Sequence, residues 1–331
     1  MPMSRRAVLG ALAALPAAAL ARPRAGVAAS IVRVDDPEMA AIVRPDAAWR
    51  TIHEGGLWCE GVCWAPALGG LVFSDVKRNR MAVVGEDGAV RPFRDPSNNA
   101  NGNVLDAEGR LVTCEHRGRR VVRQEADGTL TVLAERFEGR RLNSPNDAAL
   151  APDGAIWFTD PVYGITQPDE GIVAEPEQAA RRVYRIDPAT GALESMIEAI
   201  DQPNGLVFSP DGRTLYVSES GGGPNPEGGR AVMAFEIADA RRVGPGRVFA
   251  ALEAGVPDGL AVDRDGRVYV ASQDGIRIHA ADGRRLGRLA TATATGNLAF
   301  GGPDGRRLFV AEGERVLALD LEVSGLAIET R

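Results

Sequence analysis

Six side chains carrying a carbonyl or carboxylate oxygen recur at one position of a repeated hairpin. Turn glycines Gly70, Gly109, Gly154, Gly212, Gly266 and Gly305 each open an apolar run, such as GLVFSD, GAIWFTD or GRRLFVAE. Eight residues before the last five stand Asn101, Asn146, Asn204, Asp258 and Asn297. The first copy has a turn two residues longer and contributes Glu60. Asn or Asp before Gly is also an ordinary turn pair, so a single occurrence means little. Six at one register predict a ring of oxygens around one axis. Buried amides and carboxylates that face one another need a partner, and a hard cation suits an all-oxygen set. Glu60 and Asp258 balance a divalent charge, and Asn146 and Asn204 add neutral oxygens. Ca²⁺, Mg²⁺ or Mn²⁺ fits such donors; Zn²⁺ fits less well, because the set has no His or Cys.

The elements that must position this ring are short strands. The glycine spacings of 39, 45, 58, 54 and 39 residues average near one four-stranded propeller blade. Weaker strand pairs between the strong hairpins, such as 81–84 with 90–93 and 121–125 with 130–133, supply the outer strands. The expectation is an all-β fold, a six-bladed β-propeller with four-stranded blades over residues 50–331 and a metal site at one mouth of the central channel. Two packed β-sandwiches are the competing arrangement. Helix is expected only within 168–182. That stretch and 221–229 read as polar insertions able to form a lid or rim loop. The innermost strand of a blade runs along the channel, and its partner returns antiparallel. Asp75, Glu115, His116, Asp160, Glu219 and Gln273 are therefore expected at the same mouth as the oxygen ring, with the Asp-Gly turns at the other.

With 331 residues, 44% of them apolar, the chain can bury a large core. Its net charge of −7 and the absence of a basic run argue against nucleic acid as a partner. Residues 1–29 read differently. Ser4-Arg5-Arg6 precedes an Ala-rich apolar run to about Ala21, with small-residue cleavage sites at 19–21 or 27–29. This is the layout of a twin-arginine export signal, and the run is too short to span a bilayer comfortably. The expected product is periplasmic or secreted, with no stable membrane insertion after signal removal. Without residues 1–29, which hold Arg5, Arg6, Arg22 and Arg24 and no acid, the net charge becomes −11. Residues 30–49 read as a lead-in. Cys59, Cys63 and Cys114 are too few and badly spaced for a disulfide framework or a metal site, and are expected to be buried free thiols.

Six segments together carry a resemblance over some four fifths of the chain. They are Asn101-Gly-Asn-Val-Leu-Asp, Thr113-Cys-Glu-His-Arg, Arg141-Leu-Asn-Ser-Pro-Asn-Asp, Ile156-Trp-Phe-Thr-Asp-Pro-Val-Tyr-Gly, Gln202-Pro-Asn-Gly-Leu and Pro257-Asp-Gly-Leu. The chain resembles the senescence marker protein / gluconolactonase / luciferin-regenerating enzyme family, most closely its bacterial gluconolactonase branch. The resemblance implies a six-bladed propeller with a divalent metal, Ca²⁺ first, on Glu60, Asn204 and Asp258. Asn146 matches a residue that is a ligand in some members and a substrate contact in others. Ser144 stands where the animal branch carries an Arg, so an Arg-based sugar contact is not expected. Asn101 and Asn103 fit supporting or substrate-binding roles.

The reaction implied is hydrolysis of a small sugar lactone by metal-activated water. Family behaviour makes Asp258 the general base, with His116 as the alternative because it alone of the three histidines falls on the active face. His53 and His279 are expected at the surface. Glu115, Asp160 and Tyr163 are candidates for ordering the water or binding sugar hydroxyls, although Asp160 and Tyr163 equally suit shaping the loop from Pro161. No Gly-x-Ser-x-Gly elbow, dinucleotide fingerprint or phosphate loop is present. Other lactones or organophosphates at the same site are the alternative substrates. A non-catalytic, metal-stabilised binding propeller is the alternative class, disfavoured by the surplus of acids at the mouth. The sequence leaves the oligomeric state open.

Overall fold

The computed structural model describes residues 30–239 and 241–326; the expected export signal lies outside these residues. Six antiparallel sheets follow one another along the chain as the blades of a propeller. Blade one comprises Cys59–Ala65, Gly70–Asp75, Arg80–Gly85 and Val90–Arg94. Blade two comprises Ala100–Leu105, Leu111–Glu115, Arg120–Gln124 and Leu130–Ala134. Blade three uses Ala148–Leu150, Ile156–Asp160, Arg182–Ile186 and Leu193–Ile197. Blade four uses Pro203–Phe208, Thr214–Glu219, Ala231–Ala238 and Arg247–Ala251. Blade five is built from Leu260–Val262, Val268–Ser272, Gly275–His279 and Arg285–Ala290. Blade six has Thr295–Gly301, Arg307–Glu312 and Arg315–Asp320, and takes its outer strand, Arg50–His53, from the N-terminal side of the chain.

The turn glycines work as the hairpin pattern requires. Gly154 and Gly212 have φ of 86° and 68°, a region that costs a side chain strain and costs glycine almost none. The core lies in the wedges between neighbouring blades. Trp157 of blade three meets Phe208 of blade four edge to face, with ring centroids 5.6 Å apart, and both are buried with Val183, Leu206 and Leu215. Leu71 and Phe73 of blade one bury against Phe309 and Val316 of blade six. Inner strands are therefore apolar on both faces, and their buried oxygen-bearing residues stand out.

The structure corrects three expectations about elements. Residues 30–49 are part of the propeller rather than a lead-in: Val32–Val34 adds a fifth strand to blade five. Met39, Ile42 and Val43 are buried with Leu286, Leu289 and Leu319. The 3-10 turn Pro37–Ala41 that carries Met39 is capped by Asp36, whose carboxylate accepts from the Glu38 amide at 2.9 Å. The stretch 168–182 holds no helix; among the described residues the single α-turn is Tyr163–Thr166, just upstream. His279 is buried, its Nδ1 3.1 Å from the Gly283 carbonyl, rather than at the surface. The three cysteines are buried and free, as expected. No helix among the described residues is long and apolar enough to cross a membrane.

Candidate active site

The six residues of the oxygen register lie at the start of the innermost strand of each blade or just before it. Glu60, Asn101, Asn146, Asn204 and Asn297 are buried and Asp258 is half-buried. The residue after most of them is glycine because neighbouring inner strands nearly touch there. A Cβ on Gly61 would collide with the Asn101 carbonyl, one on Gly205 with the Asp258 carbonyl, and one on Gly259 with the backbone of Asn297. The Gly102 amide donates to the Asn146 carbonyl and the Gly259 amide to the Gly296 carbonyl, each at 2.7 Å. These glycines let six strands converge tightly enough for their side chains to share one space.

In blade three that glycine is replaced by Asp147, which adds a carboxyl to the ring. Its Oδ2 accepts from Asn297 Nδ2 across the channel at 3.4 Å. Asp147, Glu60 and Asp258 make no ion pair among the described residues. Burial pushes the Asp147 carboxyl up to about 7. Burial and then the neighbouring Asp258, Asp147 and Glu170 raise Glu60 well above the usual carboxylate range. Burial, Asp147 and Glu170 raise Asp258, against a hydrogen bond from Asn204 that lowers it. Crowded, desolvated carboxyls without a positive partner are the environment a hard cation compensates. Among the described residues no three His, Cys, Asp or Glu side chains converge in metal-binding geometry. A cation held here therefore needs Asn oxygens as well as carboxylates, and the Glu60, Asn146, Asn204 and Asp258 set fits that requirement.

The structure separates the remaining candidates. Glu115 is fully buried between Arg120, at 2.6 Å, and Arg94, at 3.5 Å, so it is engaged away from the channel. Asp160 accepts the Asn143 amide at 2.9 Å. Equivalent strand-end acids do the same in other blades: Asp75 takes the amides of Leu57 and Trp58, Glu219 those of Asp201 and Gln202, and Glu312 those of Ala292 and Thr293. These acids clasp the segment leading into their own blade, because the strand's pleat turns them sideways rather than into the channel. For Asp160 this contact agrees with the alternative of shaping the loop from Pro161. Asn103 is bonded to neighbouring inner strands. Its Nδ2 donates to Gly61 O, Ser74 Oγ and Asn101 O, and its Oδ1 accepts from Thr113. Ser144 accepts the Gly164 amide at 3.1 Å and donates to the Pro161 carbonyl, anchoring the loop.

His116 is fully buried, its Nε2 3.2 Å from Asn101 Nδ2 and 3.4 Å from Asn146 Nδ2. Burial depresses its imidazole to about 4, so the ring is neutral at pH 7. Tyr163 is half-buried; burial and then the nearby Asp258 raise its phenol, against a hydrogen bond with Ser220. Two functional groups escaped the sequence reading. Asp147 and Leu298 are the two exceptions to glycine at this register, and only Asp147 brings a carboxyl. Glu170 lies in the insertion between strands two and three of blade three. It is 8% exposed, its Oε2 stands 4.0 Å from His116 Nδ1, and burial pushes its carboxyl up to about 7. Lys77 of blade one pairs with Asp169 at 3.1 Å and holds this insertion over the mouth. No periodicity marks an isolated loop carboxyl, which is why Glu170 was not legible.

The fold and this mouth define a six-bladed propeller with an acidic, oxygen-lined channel. The model of the SMP-30/Gluconolactonase/LRE-like region matches residues 58–313, and the chain belongs to that family. It is 28% identical to the gluconolactonase of Zymomonas mobilis over 87% of this chain and 85% of that one. A solved gluconolactonase of Xanthomonas campestris is 40% identical, with a TM-score of 0.82 over 88% of this chain and 94% of that one. Regucalcin of Agrobacterium tumefaciens, at 22% identity, shares the fold, with a TM-score of 0.69 over 85% of this chain and 96% of that one.

Proposed function

We propose that the protein is an exported, metal-dependent hydrolase that opens a small sugar lactone, as a gluconolactonase does, to its hydroxy acid. One observation carries this reading beyond family membership: Glu60, Asp147 and Asp258 are crowded and unpaired at the channel mouth, with Glu170 above them. Glu60, Asn146, Asn204 and Asp258 would hold one divalent cation, Ca²⁺ first, with Mg²⁺, Mn²⁺ or Zn²⁺ as alternatives. When bound, such a cation supplies polarisation of the lactone carbonyl and a more acidic water.

The chain's own groups then divide the work. Asp258 is aimed by its backbone, whose amide donates to the Ala271 carbonyl at 2.9 Å and whose carbonyl accepts from Ser218 Oγ at 2.6 Å. Its desolvated carboxylate takes the proton of the attacking water as the water oxygen bonds to the carbonyl carbon. The ring C–O bond then breaks, and that proton returns to the departing alkoxide oxygen. Tyr163 and Glu170 at the rim would meet sugar hydroxyls.

The test follows acid release from glucono-1,5-lactone by the mature protein, after chelation and again with each ion restored. Turnover above the spontaneous rate that returns with a cation is the expected result. No turnover with any ion, in a protein that still binds metal, would establish a binding propeller or another substrate. Export is proposed on Arg5 and Arg6. Replacing both with Lys should leave full-length precursor in the cell where the parent chain is found cleaved outside the cytoplasm.

A further inference from the structure

We infer that His116 is a positioning residue, whose Nε2 accepts the side-chain amides of Asn101 and Asn146 and so turns their carbonyl oxygens toward the channel. Its functional consequence rests on the lactonase reading above; its geometry does not.

Two amide nitrogens approach the same ring nitrogen, at 3.2 and 3.4 Å. A nitrogen that accepts from two donors carries no proton, so the proton of the neutral ring sits on Nδ1. Nδ1 faces Glu170 Oε2 at 4.0 Å, with no hydrogen-bond partner among the described residues. Gly164 of the rim insertion packs directly against its Cβ and Cγ, where a side chain in place of the glycine hydrogen would collide with it. Blade two thus supplies the imidazole, blade three supplies Asn146 and the rim insertion walls in the imidazole.

The two ends of a primary amide are chemically opposite. With NH₂ held on His116, the Oδ1 of Asn146 is presented on the other side, as a neutral donor for a cation. Released from the imidazole, that amide is free to turn over and offer N–H where an oxygen is wanted. The same geometry argues against His116 as the general base: the lone pair a base needs is occupied twice on Nε2, and Nδ1 is already protonated.

Three replacements separate the possibilities. His116→Gln sets an amide oxygen near the position of Nε2, His116→Asn sets its amide nearer Nδ1, and His116→Leu removes both. Ca²⁺ affinity by calorimetry on the mature chain is expected to fall about tenfold or more in the Asn and Leu variants. The Gln variant is expected to stay within about threefold of the parent, with kcat following the same order. If all three keep their Ca²⁺ affinity and lose kcat by about 100-fold, His116 is a base and the inference is wrong. If all three behave as the parent, His116 only fills space and the inference is again wrong.

A second readout needs neither metal nor turnover, and so survives failure of the lactonase reading. With three histidines in the chain, the ¹⁵N signals of His116 are identified by their loss in His116→Gln. At pH 7 they should report the neutral ring protonated on Nδ1. A ring protonated on Nε2, or an imidazolium, overturns the inference even in a protein that binds Ca²⁺. A wild-type chain without turnover, yet with the Nδ1–H ring, would instead reject the lactonase reading alone.

Discussion

At Asp258 three demands meet: a place just before the innermost strand of blade five, a hydrogen bond from Asn204, and repulsion from Asp147 and Glu170. A carboxyl so placed serves two purposes under the proposed function, as an anionic oxygen for a cation and as the group that takes a proton from water. Asp258→Asn keeps the shape and one oxygen but removes the charge and the basicity. Lactone turnover should fall by at least about 100-fold, the usual contribution of a general base. Calorimetry should show weaker Ca²⁺ binding alongside. Full turnover in the Asp258→Asn chain would remove Asp258 from the reaction. At the residue scale the ring itself was readable, because Glu60, Asn101, Asn146, Asn204, Asp258 and Asn297 share a register set by backbone geometry. Direction was not readable. Glu115 and Asp160 have the same sequence credentials as a channel acid, yet the pleat points them at an arginine pair and at a backbone amide.

The strand-end acid is a device of the element, repeated in four blades to fasten the segment that feeds each one. Asp160 performs it fully buried, and burial raises its carboxyl from the ordinary 3.8 to about 7. Its pKa is higher folded than unfolded, so the folded chain holds the extra proton between those values. Stability from this group is therefore lost as pH rises through that window. Asp160→Asn keeps an oxygen for the Asn143 amide but cannot ionise. Between pH 5 and 8 the variant should gain on the parent by on the order of 2 kcal/mol, read from urea midpoints at the two pH values. A gap between variant and parent that does not change with pH would show that Asp160 stays charged in its clasp. Lactone turnover should be retained, because Asp160 faces away from the channel. The strands and turns of these blades follow from local signals, glycine at positive φ and apolar runs of fixed length. The insertion that delivers Glu170 has neither. It is held by long-range contacts, Lys77 with Asp169 and Gln178 with the carbonyls of Phe137, Arg140 and Arg141, and no pattern in the chain announces those.

At the scale of the whole molecule, a propeller must close its ring, and this one closes through strand Arg50–His53 on the outside of blade six. The residues just before that strand extend the closure. Val32–Val34 runs along blade five, and Met39 is fully buried against the same blade, beneath Gly287. Two adjacent blades are therefore tied by one N-terminal segment, reinforced by Glu38 with Arg267 at 2.9 Å and Arg285 with Asp35 at 2.7 Å. These ion pairs, one partly buried and one exposed, add little, since pairs open to solvent are worth at most about 1 kcal/mol. Buried apolar contact dominates: truncating a core methionine typically costs about 2–5 kcal/mol. Met39→Ala should lower the unfolding free energy by that amount, read as a lower urea midpoint with the slope unchanged. A change below about 0.5 kcal/mol would return residues 30–49 to the status of a lead-in. Blade five also leads from Asp258, so the Met39 variant tests whether closure of the ring reaches the channel. In the Met39→Ala chain the Ca²⁺-induced rise in melting temperature should persist, because the ring of inner strands remains paired. Loss of that rise would mean that closure of the ring, and not the inner strands alone, sets the geometry of the mouth.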